Sequence, residues 1–313
     1  MVAALLPGAL YLAALLFLCG MAWRVWTWAS TPEPFRIPTT TGQQASLPAI
    51  RASRVESPST RVGAAGRLLI EALLFRSLFR HTKPGPRASG AENCPDPVFL
   101  ERKAIWVGAM AFHWSLLVIV LRHLRLFVEP VPRVAAVLSA MDGFFEVGSP
   151  VWYVTDVVVV AALCYLLLRR LRDPLLRYLT LPADYLALGV LLAVTLTGVV
   201  VRYFARTDLV AVRQFTLSVA AFAPVTLRAP GAWLVVHVLS ASLLLAVLPF
   251  SKMVHAAGIW LSPTRNQPND SRRRRHVNPW NAPAPIHTYE EWEDEFREKL
   301  RLAGLPIDRE GPE

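Results

Sequence analysis

The sequence predicts an all-α membrane protein with five transmembrane helices, an outer N-terminus and a cytoplasmic C-terminus. Of its 313 residues, 54% are hydrophobic and only 18% are charged, and the mean hydropathy is +0.37. A soluble domain carries about 25% charged residues. The deficit comes from a few long apolar runs, which are separated by segments rich in Arg and Pro. Such an uneven distribution is typical of helical membrane proteins.

Five apolar stretches are long enough, or nearly so, to cross the hydrocarbon core, which takes about 20 residues of α-helix. They cover approximately residues 5–23, 105–121, 151–168, 185–201 and 233–259. Trp and Tyr recur at their ends, where aromatic side chains anchor helices at the membrane interface. The first stretch lacks a basic n-region and is longer than the apolar part of a signal peptide, so we expect it to remain as a helix.

The distribution of Lys and Arg predicts the orientation. Of the 33 basic residues, 26 lie in segments 24–103, 169–184 and 251–313. These segments share one side of the membrane if all five stretches span it. Positive-inside bias places these segments in the cytoplasm. The same bias explains the net charge of +10, so we expect contact with membrane lipid and no nucleic-acid partner.

The predicted membrane boundaries divide the chain into a first transmembrane helix (1–23), a cytoplasmic loop (24–103), a four-helix core (104–261) and a cytoplasmic tail (262–313). In the loop, residues 67–80 place Leu and Ile on one face, which predicts a short helix on the membrane interface or against a partner subunit. The tail is basic in its first half, which suits anionic lipid. Its acidic second half, a predicted helix, suggests docking to another protein.

Four of the seven histidines lie in the second and fifth apolar stretches: His113, His123, His237 and His255. An ionisable side chain inside a membrane helix is costly and therefore indicates function. Antiparallel helices pair His113 with His255 near the cytoplasm and His123 with His237 near the outer face. A rise of about 1.5 Å per residue separates the two histidines of the second stretch by roughly 15 Å, and those of the fifth by roughly 27 Å. Pro249 predicts a kink between the latter two.

Two pairs of histidines predict two bis-histidine haems, one near each membrane face. Both axial positions are then filled, so such haems transfer electrons and no catalytic residue is expected. Zinc or copper is disfavoured, because histidines roughly 15 Å apart cannot share one ion with bonds of about 2 Å. The three cysteines form neither CxxC nor CxxCH, so any iron–sulfur cluster would belong to another subunit. Cationic side chains near the two interfaces are candidates for the haem propionates, or ordinary topology signals: Arg122, Arg125, Arg202, Arg206 and Lys252.

The histidine spacing, ten residues in the second stretch and eighteen in the fifth, resembles the gamma subunit of respiratory nitrate reductase, as does the PFSKMVH run at 249–255. The resemblance covers the five-span core. It implies that His113 and His255 ligate the haem b nearer a cytoplasmic partner. It also implies that His123 and His237 ligate the outer haem b, next to a quinol site.

The long loop and the tail motif SPTRNQPNDSRRRRHVNPWN look closer to the related cytochrome b (DsrM type) of the sulfite-reductase-associated membrane complex. This second resemblance implies a cytoplasmic iron–sulfur partner similar to heterodisulfide reductase, and further subunits of a membrane complex. We therefore expect a dihaem cytochrome b of a prokaryotic cytoplasmic membrane, which exchanges electrons between the quinone pool and an iron–sulfur protein of sulfur metabolism. Proton-exchanging or charged groups near the outer ends are candidates for the quinone pocket: Glu146, Asp156, Arg122 and Arg202. Asp156 could equally serve helix packing.

Three alternatives remain open. Within the class, the chain could be a true nitrate reductase gamma subunit or the cytochrome of a heterodisulfide reductase. A proton-coupled transporter would use the histidines as a relay, but no acidic residue lies between the paired histidines of either stretch. A structural anchor without a cofactor would tolerate replacement of all four histidines.

Overall fold

The computed structural model describes residues 2–31, 53–80, 82–85, 98–101, 103–145, 150–205, 207–227, 229–262, 265–270 and 287–308. Within these ranges the α-helices are α1 (Val2–Ser30), α2 (Arg61–Leu74), α3 (Arg76–Phe79), α4 (Lys103–Phe127), α5 (Arg133–Asp142), α6 (Val154–Arg172), α7 (Pro174–Leu179), α8 (Pro182–Tyr203), α9 (Leu209–Ala220), α10 (Ala232–Val247), α11 (His255–Gly258) and α12 (Tyr289–Leu302). Two short antiparallel hairpins pair β1 (Thr82–Gly85) with β2 (Val98–Glu101) and β3 (Gly143–Phe145) with β4 (Trp152–Tyr153).

Four helices in the described ranges are long and apolar enough to cross a membrane: most of α1, all of α4 and α8, and the stretch Ala232–Phe250 that contains α10. The predicted span at 151–168 is helical as α6. However, α6 has Asp156 in its first turn and three arginines in its last, which shortens its apolar length. It packs against α4 and α8 within the bundle. The all-α membrane fold is confirmed, whereas the count of five spans and the orientation stay predictions.

The bundle places α1 against α10, α10 against α8, α8 against α6 and α6 against α4. One buried core lies between α4, α6 and α8, where Phe112, Val159 and Leu163 pack together. A second core joins the N-terminal end of α1 to α9 and α10, around Leu6 and Phe215. The outer surface stays rich in exposed Leu and Val, as expected for helices that contact lipid tails rather than water.

The last apolar stretch breaks, rather than forming the single kinked helix that the sequence predicted. α10 ends at Val247, and a 3₁₀ turn, Leu248–Phe250, follows it. Ser251 is extended (φ −112°, ψ 173°), and a second 3₁₀ turn leads to His255 at the start of α11. Proline cannot donate its backbone nitrogen and clashes with the preceding turn, which accounts for the position of the break. The predicted separation of roughly 27 Å between His237 and His255 assumed a continuous helix and therefore does not apply.

Backbone groups freed at this break find partners within the protein, as a membrane interior requires. Nε of Arg24, on α1, donates to the carbonyl oxygen of Pro249 at 3.0 Å. The Ser251 hydroxyl donates to the Leu248 carbonyl oxygen at 3.0 Å and accepts from the Met253 amide at 3.2 Å. α1 therefore supports the turn that carries His255.

Part of the long loop packs against the transmembrane bundle. Residues 53–80, called the cap below, contain α2 and α3. The indole nitrogens of Trp114 and Trp106, both on α4, donate to the carbonyl oxygens of Leu73 and Leu74 at 3.1 and 2.8 Å. Carbonyls at a helix C-terminus have no intrahelical partner, so these two bonds hold the end of α2 on α4. The helix that the sequence predicted here is present as α2; its placement on the membrane interface or against a partner subunit stays a prediction.

The tail and the cap are joined by polar contacts. The Asn269 amide donates to the Pro58 carbonyl oxygen at 2.6 Å, and Arg265 forms an ion pair with Glu71 at 3.2 Å. Within the cap, Glu56 accepts from Nε of Arg76 at 2.6 Å and from Nη1 of Arg80 at 2.5 Å. Farther along the tail, the predicted acidic helix is present as α12.

Replacing Glu56 with Gln is expected to loosen the cap. Burial raises the pKa of Glu56, but hydrogen bonds from Arg76 and Arg80 outweigh that effect and hold the pKa below its usual value of 4.5. A depressed carboxyl pKa means that the stabilisation is present above that usual value and is lost as the pH falls through the folded pKa. Partly exposed ion pairs contribute up to about 1 kcal/mol, so amide exchange in α2 should accelerate up to roughly fivefold at pH 7. After correction for the intrinsic pH dependence of amide exchange, acidification should lower the protection of α2 in the wild type and change it little in Glu56→Gln; equal exchange in both proteins at pH 7 would contradict the prediction.

Candidate functional site

The structure brings the predicted inner pair together. His113, on α4, and His255, at the start of α11, have ring centroids 5.9 Å apart and ring planes at 75°. Two metal–nitrogen bonds of about 2 Å, plus roughly 1.1 Å from each nitrogen to its ring centre, give a separation of about 6 Å for two imidazoles that share one metal ion. The observed spacing fits a metal ion held between His113 and His255.

The predicted outer pair consists of His123 on α4 and His237 on α10. These two side chains are close enough to interact electrostatically. Gly198, on α8, lies beside the His237 ring, because a Cβ atom at this glycine would be 3.1 Å from Cε1 of His237. The absence of a side chain at Gly198 therefore makes room for the imidazole between α8 and α10.

All four histidines use Nδ1 in a hydrogen bond, which is local in three of them and joins two helices in the fourth. The acceptors and distances are the carbonyl oxygens of Ala109 for His113 (2.8 Å), Ile119 for His123 (2.7 Å) and Lys252 for His255 (2.8 Å), and the Thr197 hydroxyl for His237 (3.1 Å). A carbonyl oxygen can only accept, so Nδ1 carries the proton. The Thr197 hydroxyl donates to the Ala193 carbonyl oxygen at 2.6 Å and is therefore free to accept from His237. In each ring the lone pair of Nε2 remains available, which is the arrangement of metal-binding histidines.

The donor set fits haem iron better than a bare metal ion. A bare zinc ion takes three or four protein ligands. In the part of the chain that the structure describes, no group of three or more His, Cys, Asp or Glu side chains could hold a metal ion. Haem iron takes four nitrogens from the porphyrin and needs only two axial ligands from the protein. Each histidine pair supplies that number.

Aromatic side chains from α4 and from the cap contact the His113 ring of the inner pair. Phe75, at the junction of α2 and α3, contacts His113 edge-on at 4.9 Å, and Phe112 does so at 4.8 Å. Phe75 adopts a left-handed conformation (φ 48°, ψ 48°), which is unfavourable for a residue with a side chain. The candidate propionate residue Lys252 lies three residues before His255. It is largely exposed and forms an ion pair with Asp184 of α8 at 2.9 Å.

Beside the outer pair lies a group of buried or half-buried charges, called the outer cluster: Arg122, Arg202, Asp142 and Asp156. Nη2 of Arg122 donates to Asp156 at 2.6 Å, and Nη1 lies 2.9 Å from Oδ2 of Asp142 in a less well-aligned ion pair. The guanidinium groups of Arg122 and Arg202 lie over the Tyr153 ring, 3.8 and 4.2 Å from its centroid. Three of the four members were candidates from the sequence, whereas Asp142 was missed.

The other polar contacts of the outer cluster hold its carboxylates in place. Asp142 accepts from the amide and the hydroxyl of Thr155 at 2.9 and 2.6 Å. Asp156 also accepts from the Tyr203 hydroxyl at 2.7 Å. No local sequence pattern pointed to Asp142, because its importance comes from α5 folding back onto α4 and α6. The candidates Glu146 and Arg206 lie outside the described residues.

Replacing Gly198 with Val is expected to displace the His237 ring. The new Cβ alone would lie 3.1 Å from Cε1 and 3.6 Å from Nδ1, and overpacking a tight contact costs about 1–3 kcal/mol. Gly189→Val is a matched control on the same helix, since no atom of the described structure lies within 4 Å of a Cβ built there. We expect Gly198→Val to alter the visible absorption or electron paramagnetic resonance of any haem bound there, and Gly189→Val to leave it unchanged. Identical spectra for the two variants would contradict the close approach.

Comparison with known proteins agrees with this architecture. The family model for the nitrate reductase gamma subunit matches residues 96–267. The Hdr-like menaquinol oxidoreductase cytochrome b-like subunit of Archaeoglobus fulgidus is 40% identical over 289 residues, which cover 88% of this chain and 82% of the relative. The subunit of the same name from Archaeoglobus profundus is 38% identical over 304 residues, covering 94% of this chain and 86% of the relative.

The apolar helices and these relatives define the class first: the chain is a multi-pass membrane protein of a prokaryotic plasma membrane. More particularly, it belongs to the nitrate reductase gamma subunit family. Both paired-histidine segments, and all members of the outer cluster, lie inside the region that the family model matches.

Proposed function

We propose that this chain is a dihaem cytochrome b, which exchanges electrons between the quinone pool and a cytoplasmic iron–sulfur partner. One observation carries the proposal: four histidines in two pairs all use Nδ1 in hydrogen bonds and leave Nε2 free. His113 and His255 would hold the inner haem, and His123 and His237 the outer one. When bound, such haems carry single electrons and have no open axial position for oxygen or substrate.

The proposed topology has five spans, with α6 as the third, an outer N-terminus and a cytoplasmic C-terminus. In favour of α6, this helix packs against the two spans α4 and α8. In favour of the orientation, its last turn holds Arg169, Arg170 and Arg172, as the positive-inside bias requires at a cytoplasmic end. The inner pair and the cap then face the cytoplasm, and the outer cluster faces the opposite side.

We place the quinone site beside the outer pair. Support comes from the two relatives, which are named as subunits of a menaquinol oxidoreductase. The outer cluster places charged side chains next to His123. Within it, Asp156 accepts hydrogen bonds from both Arg122 and Tyr203. In this proposal Asp156 shapes the pocket through these two contacts, and Glu146 remains the candidate proton acceptor.

The propionate assignments follow from the same contacts. Arg202 donates to the Val151 carbonyl oxygen through Nη2, and its buried Nε has no hydrogen-bond partner among the described residues. An unpaired buried donor is costly, so we propose that Arg202 binds a propionate of the outer haem. Arg122 is a weaker candidate, because two carboxylates already balance its charge. Lys252 would serve the inner haem by exchanging its exposed ion pair with Asp184.

The partner is proposed to be an iron–sulfur subunit of sulfur metabolism that resembles heterodisulfide reductase. The relatives' name contains the term Hdr-like, which favours this partner over a nitrate-reducing one. A proton-coupled transporter is the competing function. A relay needs imidazoles that exchange protons on both nitrogens, but each Nδ1 here is held by a nearby acceptor. The hydrogen bonding therefore favours electron transfer.

The decisive experiment measures haem in the purified protein. A pyridine haemochrome assay should give about two b haems per chain, and dithionite should produce a reduced b-type spectrum. A menaquinol analogue should reduce part of the haem that dithionite reduces. A colourless protein would overturn the proposal, and one haem per chain would restrict it to a single histidine pair.

A further inference from the structure

The outer cluster is balanced in charge and shielded from solvent. Its two arginines and two aspartates give a formal net charge of zero. The side chains of Arg122, Asp142 and Asp156 are only 7%, 6% and 13% exposed. Taking such charges out of water is costly, and removing one member leaves an uncompensated buried charge. A balanced set of this kind is therefore sensitive to the loss of any one of its members.

Asp142 is the member with the least favourable position on its own helix. It is the last residue of α5, where the helix dipole disfavours a negative charge. Three contacts compensate: the Arg122 guanidinium at 2.9 Å, and the amide and hydroxyl of Thr155. α5 thus presents a carboxylate to α4 at the turn of α4 that carries His123.

Two charged members of this cluster, Arg122 and Asp156, interact with His123 of the outer pair. Arg122 precedes His123 directly in the sequence, and His123 interacts electrostatically with Arg122, Arg125 and Asp156. Oxidised haem carries one more positive charge than reduced haem, so a nearby cation disfavours oxidation and a nearby anion favours it. The net charge beside His123 therefore affects the redox equilibrium of a haem bound there.

We propose that Asp142 is a positioning residue that holds Arg122 beside His123 and, with Asp156, balances its charge, thereby setting the reduction potential of the outer haem. The inference rests on the proposed function, because it requires a haem at the outer pair. It assigns to α5 and to Thr155 a redox role: they determine where the compensating carboxylate lies.

A charge-balance series of variants tests the proposal by redox titration of the purified protein. Asp142→Asn leaves the cluster with one excess positive charge and should favour the reduced outer haem about tenfold, which is about 59 mV for one electron. Arg122→Gln should shift the reduction potential of the outer haem in the opposite direction. The double variant restores a net charge of zero and should return the potential towards that of the wild type. Asp142→Glu, which keeps the charge, should shift it less than Asp142→Asn.

Asp184→Asn is the matched control, because it makes the same substitution at the ion pair with Lys252 near the inner histidines. Asp184→Asn should leave the reduction potential of the outer haem unchanged. An unshifted outer potential in Asp142→Asn with full haem content would overturn the inference, and so would a double variant that shifts as far as Asp142→Asn.

If Asp142→Asn assembles too little haem to titrate, the comparison of Arg122→Gln with the double variant decides, since only the first has an unbalanced cluster. Equal potentials in those two variants would overturn the inference. The outcomes also separate the two proposals. A wild-type protein without haem contradicts the proposed function. Two haems with no charge-dependent shift contradict only the role of Asp142.

Discussion

His237→Ala is expected to remove the outer haem and to abolish reduction of the protein by quinol. His237 supplies one of the two imidazoles of the outer pair, and Thr197 holds its ring with Nε2 free. His255→Ala should instead remove the inner haem and leave the outer one reducible by quinol. In each variant the pyridine haemochrome should fall from about two haems per chain to about one.

The two substitutions must act on different haems for the pairing to hold. Redox titration and low-temperature spectra distinguish the component that each variant retains. His287→Ala serves as the control, because His287 is exposed, directly precedes the N-cap Thr288 of α12 and belongs to neither pair. It should keep two haems and normal reduction by quinol. Loss of the same component in His237→Ala and His255→Ala would show that the assigned pairs are wrong.

Gly20→Val should disturb the inner pair from a distance. Gly20, on α1, packs against the turn that carries the chain from α10 to His255. A Cβ atom there would lie 2.8 Å from Cβ of Pro249 and 2.9 Å from Cζ of Phe250. The proline ring is stiff, so the added atoms must push α1 and the turn apart. Overpacking of this kind costs about 1–3 kcal/mol, and we expect lower thermal stability together with a weakened or altered inner haem.

Gly8→Val separates this steric effect from the difference in helix propensity between glycine and valine. Gly8 lies on the same helix, and in the described structure nothing comes within 4 Å of a Cβ built there. Thermal unfolding and the haem spectrum should be almost unchanged in Gly8→Val and changed in Gly20→Val. If both variants lose the same stability and both keep an intact inner signal, α1 does not support the His255 turn in the way the structure indicates.

Much of the site could be predicted from the sequence because hydrophobicity and charge act locally. An apolar run long enough to cross a membrane must be helical, and a histidine inside it stands out. Antiparallel order alone then pairs His113 with His255, and the structure brings these two rings to 5.9 Å. The break near Pro249 was also predictable in position, because proline disrupts a helix wherever it occurs.

Other features of the site depend on contacts between segments that are distant in the sequence. Asp142 matters because α5 returns to α4, where Arg122 lies twenty residues earlier in the chain. Phe75 contacts His113 because two tryptophans of α4 hold the end of α2. Hydropathy could not show either contact, since neither residue is unusual in its own segment.

The sequence by itself determined the class of fold, the four histidines and their order along the chain, because burial in a membrane restricts both backbone and charge. Only the tertiary structure decided how Thr197 holds the His237 ring, how α1 supports the turn that carries His255 and how the buried charges beside His123 are balanced. Those features depend on hydrogen bonds and ion pairs that reach only about 3–4 Å. Such contacts exist only once the helices have packed.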